Sequence, residues 1–497
     1  MNINNPRRTL ADIDISINHA SLPTDRLANL LSVRINQYLS CAAQCEIILH
    51  NQIGLALDEI SLKTGQSLAV SIEGDRSSLF MGTITAIDYV YGASGEELLH
   101  IRGHDAVQTL SMRQHVRAHV KTDIKALAKE WASDIGLRFH TDESPPAWDW
   151  KIQYQQADWA WLSALAHTQG YYFQVHEDTL YLFTLKGVGA PLLIDKDEEV
   201  REARFTQNSQ YHCPSVQTTG WNTTALQQTT GKVGTGLSDE AQRSLIDYPV
   251  TSTAQAENTS QAVLERCKTG EKQFWGVVEG SSQYYPGRKL TTQGFSPSLK
   301  SNYLLTRVLH CIDAEHGYIS ELSTAPPELG SLSQGTIKTA IGIVSNVDDP
   351  EHAGRIKVSL PTYQDVETDW LHVVQVAAGK KKGLLALPSC GDSVVLLPLS
   401  DDPSHAVVLG GLYGMDDLPD TKSVSGDIIN RYAFLTPKGQ YLRFDEKNNS
   451  VTLRNASGSK IQFTPTQTII HSATDLTIQA PKNNIVIQGN TIDFIRG

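Results

Sequence analysis

LTPKGQYLRFDEKNNSVTLRNASGSKIQFTPTQTIIHSATDLTIQAPKNNIVIQGNTIDF, from Leu435 to Phe494, is a ladder of short strands set one rung after another. Apolar residues sit two apart in Leu442 with Phe444, Val451 with Leu453, Ile461 with Phe463, Leu476 with Ile478, Ile485 with Ile487, and Ile492 with Phe494. A spacing of two places both members of a pair on one face of a strand. The pairs return every seven to ten residues if a weaker rung near Ile469 and Ile470 is counted, so the segment is a repeat. A rung on its own is unstable: burying two such side chains gives roughly 3–6 kcal/mol, whereas fixing about eight backbones costs on the order of 8–16 kcal/mol. One chain therefore makes a one-sided ribbon with unpaired edges. Three chains intertwined about an axis would close the core and pair the backbone groups of neighbours. The expectation for 435–497 is an intertwined trimeric β-helix needle cored by Leu442, Phe444, Val451, Leu453, Ile461, Phe463, Leu476, Ile478, Ile485 and Ile487. A single-chain β-solenoid or a set of edge hairpins is the alternative, and the rungs call for partner chains more firmly than for the number three.

Upstream of the ladder, 497 residues exceed what one core can hold and call for several domains. With 40% apolar and 19% charged residues the chain should fold throughout. The net charge of −12 disfavours phosphate backbones and anionic membrane as partners, the more so if three chains assemble. Lys380, Lys381 and Lys382 form the one basic run and read as a solvated loop. Asp12 and Asp14 follow Arg7 and Arg8, so no apolar signal core forms, and no stretch approaches ~18 consecutive apolar residues. Synthesis in the cytoplasm without a signal peptide is expected. The six cysteines are scattered, without histidines at zinc spacing, and read as buried free thiols.

Periodicity divides the rest, and the fold class expected is mainly β with minor α. In residues 1–115 Ile13, Ile15 and Ile17 alternate with polar neighbours, as do Val33 with Ile35, Cys45 with Ile47 and Leu49, and Leu68 with Val70 and Ile72. Pro23, Gly54, Gly65, Gly74 and Gly92 punctuate them at the spacing of a barrel or sandwich. Residues 116–199 change period: Ile124, Leu127, Ala128, Trp131 and Ile135 predict a helix behind Thr122 or Asp123, stopped by Gly136. A second helix is expected from Asp158 as cap to Gly170, then a hairpin of Tyr171–Val175 and Leu180–Phe183. Residues 200–333 are read as further strands, with Thr, Ser and Gln crowding 206–262, and then a linker at Gly330, Ser331, Ser333 and Gly335. Residues 334–415 return to dense apolar strands that fit a small barrel, and 416–434 reads as a connector.

The small barrel carries the most specific motif: GIVSNVDDPEHAGRIKVSLP from Gly342 to Pro361, Asp369 and Trp370, GLLALPSCGDSVVLLP from Gly383 to Pro398, and DDPSHAVVLGGLYG from Asp401 to Gly414. In these residues the chain resembles the valine-glycine-repeat (VgrG) spike family of contractile injection machines and the hub and spike proteins of contractile phage tails. ADWAWLSALAHTQGYYF from Ala157 and GHDAVQTLS from Gly103 are similar to hub segments of that family. The resemblance implies an oligonucleotide-binding-type (OB-fold) barrel at 334–415 with Gly354, Arg355, Trp370, Gly391, Asp392, Gly410 and Gly411 as its signature. It implies two hub β-barrels per chain, the first in 1–115 completed by part of 200–333, the second drawing on 116–199. Three chains would then present six barrels to a hexameric inner-tube protein. It also implies baseplate partners, a PAAR-repeat tip protein on Ile492, Phe494 and Gly497, effector cargo, and a baseplate site in a particle acting at a target envelope. The extracellular, phage-tail-like particle is favoured over the type VI apparatus.

The catalytic expectation is negative, with no cofactor and no metal. Relatives house enzymes between barrel and needle or after the needle, and here a connector and the end of the sequence stand in those places. No nucleophile turn, zinc helix or phosphate loop is present. Asp195, Asp197, Glu198 and Glu199 imitate a calcium loop, but Val200 and Thr206 stand where glycine and glutamate are required. His104 with Asp105, and His115 with His119, read as local hydrogen bonding. Two other functions remain to be weighed: a tail-associated cell-wall hydrolase, and a nucleic-acid-binding OB barrel, against which stands the scarcity of aromatics (Tyr363, Trp370, Tyr413) in 336–414.

Overall fold

The computed structural model describes residues 13–50, 62–75, 77–93, 95–222, 225–235, 242–327, 339–399, 402–414, 418 and 420–495. The expected turn at Gly54, the linker at Gly330–Gly335, part of the 416–434 connector, Asp401 and Gly497 lie outside them. The chain forms two compact units, Met1–Gly411 and Leu412–Gly497.

The first unit is mainly β and is organised by one eleven-stranded sheet. Its order runs Val200–Gln207, Lys272–Glu279, Gly317–Ser323, Arg307–Asp313, Leu30–Tyr38, Gln44–His50, Glu97–His104, Phe80–Tyr91, Ser67–Ile72, Ile13–Ile17, Ala20–Ser21. The period of two in the sequence turns Ile15, Val33, Ile35, Cys45, Ile47, Leu68 and Val70 into one core, which Leu99 and Ile101 complete. Arg307–Asp313 joins this half far from its neighbours in sequence: it pairs antiparallel with Leu30–Tyr38, and Ile312 enters the same core. A second core, of Ile194, Phe274, Val278, Leu290, Tyr303, Val308 and Leu322, lies along the other half of the sheet. The strand Val188–Asp195 reaches it by parallel pairing with Arg288–Gln293.

The expected helix, Ile124–Asp134, forms with the Asp123 carboxylate accepting from Ala126 N, and packs in a core of its own. The second helix, Asp158–Thr168, corrects a detail. Ala157 is its cap, and Asp158 begins the helix with its carboxylate turned inward instead of onto the first turn. The hairpin Tyr171–His176 and Thr179–Thr184 follows, and both strands pack their apolar side chains onto the helices.

Residues 200–333 are more than strands. Thr253–Glu271 is a helix of 19 residues, capped by Ser252, lying on a three-stranded sheet of Ser215–Asn222, Gln227–Gly234 and Gln242–Leu245. No apolar stripe marked it, because its buried face is Ala256, Thr259, Ser260 and Gly270 as well as Leu264 and Cys267. Small side chains let the backbones approach: a Cβ on Gly231 would lie 2.3 Å from Glu257 N. Nor are the thiols uniformly buried. Cys45, Cys213 and Cys267 are, but Cys41 and Cys390 are exposed.

The six strands of residues 340–412 run in the order Val366–Glu367, Arg355–Leu360, Ala340–Asn346, Ser393–Pro398, Ala406–Leu412, with Leu371–His372 also on Arg355–Leu360. Ala340, Val344, Ile356, Val358, Val394, Leu396 and Val408 fill the interior, joined by Ile152 from the strand Trp148–Gln153. Val407, between the buried Ala406 and Val408, is only half-buried.

In the second unit a hairpin of Val424–Ser425 and Ile428–Ile429 precedes a five-stranded antiparallel meander of Arg431–Leu435, Tyr441–Asp445, Ser450–Arg454, Lys460–Phe463 and Thr468–His471. The meander corrects the expected boundary, since its first strand lies inside the supposed connector 416–434. It also corrects the pairing. These rungs bond to their own chain neighbours, because the turns after Leu435, Asp445, Arg454 and Phe463 are short enough to fold each strand back. Gly439, Asn449 and Gly458 supply the positive φ that three of these turns need. Beyond His471 no strand is formed among the described residues, and Leu476, Ile478, Ile485, Ile487, Ile492 and Phe494 lie in irregular chain.

Candidate assembly surface

The register of the meander assigns its faces residue by residue. Tyr432 opposes Phe444 and Phe434 opposes Leu442. Leu442 then opposes Leu453, and Phe444 opposes Val451. Val451 meets Phe463, Leu453 meets Ile461, and Ile461 meets Ile470. All nine side chains share one face. Nothing within the second unit covers it: Tyr432, Phe434, Leu453, Phe463 and Ile470 are 46–64% exposed. Cross-strand contact explains why Val451, on the central strand, is half-buried and Leu442 and Ile461 beside it are 39% exposed, less than the outer members of the face.

The opposite face is polar, and its buried carboxylate is satisfied within the unit. Asp445 is buried, accepts from Arg431 Nε at 2.9 Å and from Asn448 N at 3.0 Å, and Arg431 Nη1 also reaches Asp420 at 3.2 Å. Burial works to raise the Asp445 pKa, but the bonds from Asn448 and Arg431 outweigh it and hold the carboxyl below its ordinary value. Arg443 lies over the Tyr441 ring at 4.9 Å. A ribbon this asymmetric places its need for a partner wholly on the apolar side.

Six of the ten core residues expected from the sequence, Leu442 to Phe463, are thus brought onto one surface. Leu476, Ile478, Ile485 and Ile487 are not brought to it by any strand pairing, and they are 49–64% exposed. Ile492 and Phe494 are exposed as well, Phe494 at 91%. Ile470, expected in a weaker rung, belongs to the face; Tyr432 and Phe434 also belong to it and were missed, although RYAFL carries the same spacing of two.

The small-barrel signature residues serve its loops. Asp349 and Arg355 are both buried, and Arg355 donates to the Asp349 carboxylate from Nη2 at 2.7 Å and Nε at 3.0 Å. The carboxylate also takes the backbone N–H of Glu351, Ala353 and Arg355, tying down the turn. Hydrogen bonding from Arg355 holds the Asp349 carboxyl well below the usual range. Asp392 accepts from Ser389 N, and Gly354 and Gly391 adopt φ of +73° and +92°. Gly411 needs no such freedom: a Cβ there would meet only Ser393 O, at 3.7 Å. Lys357 Nζ sits 4.7 Å from the Trp150 ring and 5.6 Å from Trp370, and Tyr363 packs edge-on against Tyr154.

The polar clusters of the hub are likewise occupied. Asp158 is fully buried and accepts from Arg113 Nε, from His115 Nδ1 at 2.8 Å and from Gln153 Nε2 at 2.7 Å. Burial opposes its charge, yet these three donors hold its pKa below the ordinary value. Gln153 Oε1 in turn meets His119 Nε2 at 3.0 Å, and His119 stacks on Trp161. Burial pushes His119 down to about 4, so it is neutral at pH 7. Asp105 accepts from Ala43 N and Val107 N, while burial raises its pKa to about 7. Asp195 and Glu199 stitch one turn together. Asp158, Gln153 and His119 brace strand to helix.

Comparison with known proteins follows this geometry. The model of the phage tail baseplate hub (GPD) matches residues 49–315, more than half of the chain. The model of the type VI secretion system/phage-baseplate injector OB domain matches residues 340–413. The spike protein of Escherichia phage P2 is 26% identical over 180 residues, covering 34% of this chain and 78% of that protein. Two solved structures share the fold at low identity. The half-lidded Francisella PdpA–VgrG complex aligns with a TM-score of 0.59 at 8% identity, over 95% of this chain and 89% of that one. An E. coli type VI secretion component, described as similar to the T4 tail proteins gp27 and gp5, aligns at 0.53 with 14% identity, over 80% and 99%.

Proposed function

The chain belongs to the phage tail baseplate hub (GPD) family, and from that membership we propose that it is the trimeric hub and spike of a contractile injection machine. A hub or spike-like part in a phage tail or type VI apparatus follows from the family. The finer reading is carried by one observation, the unbroken apolar face of the meander from Tyr432 to Ile470. Each fully buried side chain of this kind contributes roughly 1.5–3 kcal/mol. With half of that still to be gained at each of nine positions, the face has on the order of 10 kcal/mol per chain to gain from being covered. Two further copies presenting the same face would cover it around an axis.

In this reading 472–495 continues the needle as interchain strands, with Leu476, Ile478, Ile485 and Ile487 turned to the axis. A PAAR-repeat protein sits on Ile492, Phe494 and Gly497. The two cores along the eleven-stranded sheet support two hub barrels per chain, hence six in the trimer, a platform for a hexameric inner tube. Baseplate proteins surround it, effectors ride with it, and sheath contraction drives it into the target envelope. No reaction is assigned, since the buried carboxylates and histidines are used as braces. Nucleic-acid binding is disfavoured because two of the barrel's three aromatics, Trp370 and Tyr363, are already engaged, which leaves Tyr413 as the one exposed ring.

Light scattering on the full chain tests the reading. A mass three times 54.6 kDa is expected, and Leu453→Asp, which sets carboxylates in the covered face, should reduce it to the monomer. A monomeric native chain, or a trimer indifferent to this change, refutes the assignment of the face. Deleting 472–497 should remove binding of a PAAR-repeat protein, and retained binding would move that site elsewhere.

A further inference from the structure

The small barrel is apolar on its outside as well as its inside. Its strands Ala340–Asn346, Ser393–Pro398 and Ala406–Leu412 contain AIGIV, VVLLP and AVVL, continuous runs rather than the alternation of a half-solvated sheet. Continuous runs are the pattern of strands covered on both faces. Gly342, Val344, Val394, Leu396 and Val408 point in, which leaves Ile341, Ile343, Val395, Leu397 and Leu409 on the outer wall. Ile341 directly opposes Val395. Ile341 is 56%, Ile343 41% and Leu409 45% exposed.

The adjoining strand Arg355–Leu360 shows what cover looks like in this fold. Its outward Lys357 lies between Trp150 and Trp370 and pairs with Glu367 at 3.1 Å. On the three strands that follow in the sheet, Ile341, Ile343 and Leu409 have no such lid among the described residues, while Val395 and Leu397 are half-buried. The end of the barrel beside this wall carries charges of both signs. The loop after Ala340–Asn346 exposes Asp348 and Glu351. The loop before Ser393–Pro398 projects Lys380, Lys381 and Lys382 from a turn closed by paired backbone bonds between Gly379 and Lys382. The acidic loop and the base of the lysine loop stand at the same end of the barrel, because Arg355, which ends the first, opposes His372, and the chain runs on from there through Val374, whose N–H bonds to Val408 O.

We propose that this outer wall is a second interface between copies of the chain, in which Lys380–Lys382 of one copy meet Asp348 and Glu351 of the next across an apolar contact of Ile341, Ile343 and Leu409. Charge complementarity chooses the occupant. In a chain of net charge −12 this is the only basic run, and a neighbouring copy necessarily brings the acidic turn that matches it. The contact joins two different patches, so it is heterologous and closes into a ring under cyclic symmetry. The inference rests on the trimeric reading above and adds an interface that does not depend on the needle.

The test uses two full chains co-expressed with different tags. One carries Lys380→Gln, Lys381→Gln and Lys382→Gln; the other carries Asp348→Asn and Glu351→Gln. A zero-length carbodiimide can then join lysine loop to acidic turn only between chains, and mass spectrometry reads that link. Ile343→Asp, at an outward position that tolerates a charge, should raise the chain concentration at half-dissociation on the order of tenfold. The interchain link together with that shift supports the proposal. A trimer that shows neither overturns it while the meander-based trimer stands. A chain monomeric by light scattering overturns the trimeric reading and this inference with it.

Discussion

Replacing Asp349 by alanine should loosen the small barrel while leaving both hub cores intact. The side chains of Arg355 and Asp349 are 4% and 3% exposed, so the change strands a buried guanidinium. Removing one partner of such a pair costs about 3–5 kcal/mol. Glu351, 3.4 Å from Arg355, cannot compensate, because its side chain is 68% exposed and exposed pairs give at most about 1 kcal/mol. The freed N–H groups of Glu351 and Ala353 can turn to water and add little. A chain with several cores does not unfold as one transition, so the readout is amide exchange in peptides from 340–399. A loss of 3–5 kcal/mol appears there as roughly a hundred- to several-thousand-fold fall in protection. The pH arm follows from the sign of the shift. A carboxylate whose folded pKa is depressed contributes above its unfolded value near ~3.9 and loses the contribution as pH falls through the folded one. The wild-type advantage should therefore be equal at pH 7 and pH 5. Joint replacement by Asp349→Leu and Arg355→Met should recover much of the loss, since apolar pairs often substitute for buried ionic ones. Protection unchanged within threefold in Asp349→Ala would refute the reasoning.

His310 gives a second pH effect of the same sign in a higher window. Its Nε2 donates to Tyr284 O at 3.1 Å and Nδ1 lies 2.9 Å from Ser320 Oγ, with burial pushing its pKa down to about 4. The unfolded histidine takes up a proton near ~6.5, so the second core should lose stability as pH falls from about 6.5 toward 4. Exchange in peptides of 303–323 should quicken across that window and less so in His310→Gln; a flat profile contradicts the neutral buried tautomer. Residues 472–495 should exchange freely in any monomeric variant and be protected only in the trimer, and equal rates in both states would show that they do not join the interchain ladder. Zymography on peptidoglycan should show no clearing, and filter binding at ~0.15 M salt should show no tight nucleic-acid complex; clearing or retention would restore the hydrolase or the nucleic-acid barrel.

What could be read from the sequence depended on how the core is built. Where strands bury large aliphatics on one face, as at Val33, Ile35, Cys45, Ile47, Leu68 and Val70, the alternation and the observed interior coincide. The helix Ile124–Asp134 was equally plain, because Trp131 and Leu127 recur at its period. The helix Thr253–Glu271 was not, since close packing on the sheet selects small and polar residues: Ser260 Oγ bonds Thr218 Oγ1 at 2.8 Å and Gly231 O at 3.0 Å. Hydropathy cannot register a face whose buried atoms are hydroxyls satisfied by their neighbours. The joining of Arg307–Asp313 to Leu30–Tyr38 was also invisible in detail, because pairing across some 270 residues leaves no local mark.

The meander changes the argument for partner chains rather than removing it. As a ladder of isolated rungs, every backbone group and every apolar side chain would have to be satisfied by other chains. Folded back on itself, the stretch from Arg431 to His471 meets its ladder bonds internally, so the cost of ordering it is shared among five strands. What is left outstanding there is the side-chain surface of one face and the unpaired outer edges of the strands Arg431–Leu435 and Thr468–His471. Beyond His471 neither requirement is met within the described residues: side chains such as Leu476, Ile478 and Ile487 are at least 60% exposed, and no ladder bonds form. The need for partners therefore rises along the chain, from a face that wants covering to a segment that wants both covering and pairing. Assembly through the meander face first would bring three such segments together at high effective concentration, and that order of events follows from which free-energy terms each part of the chain can satisfy alone.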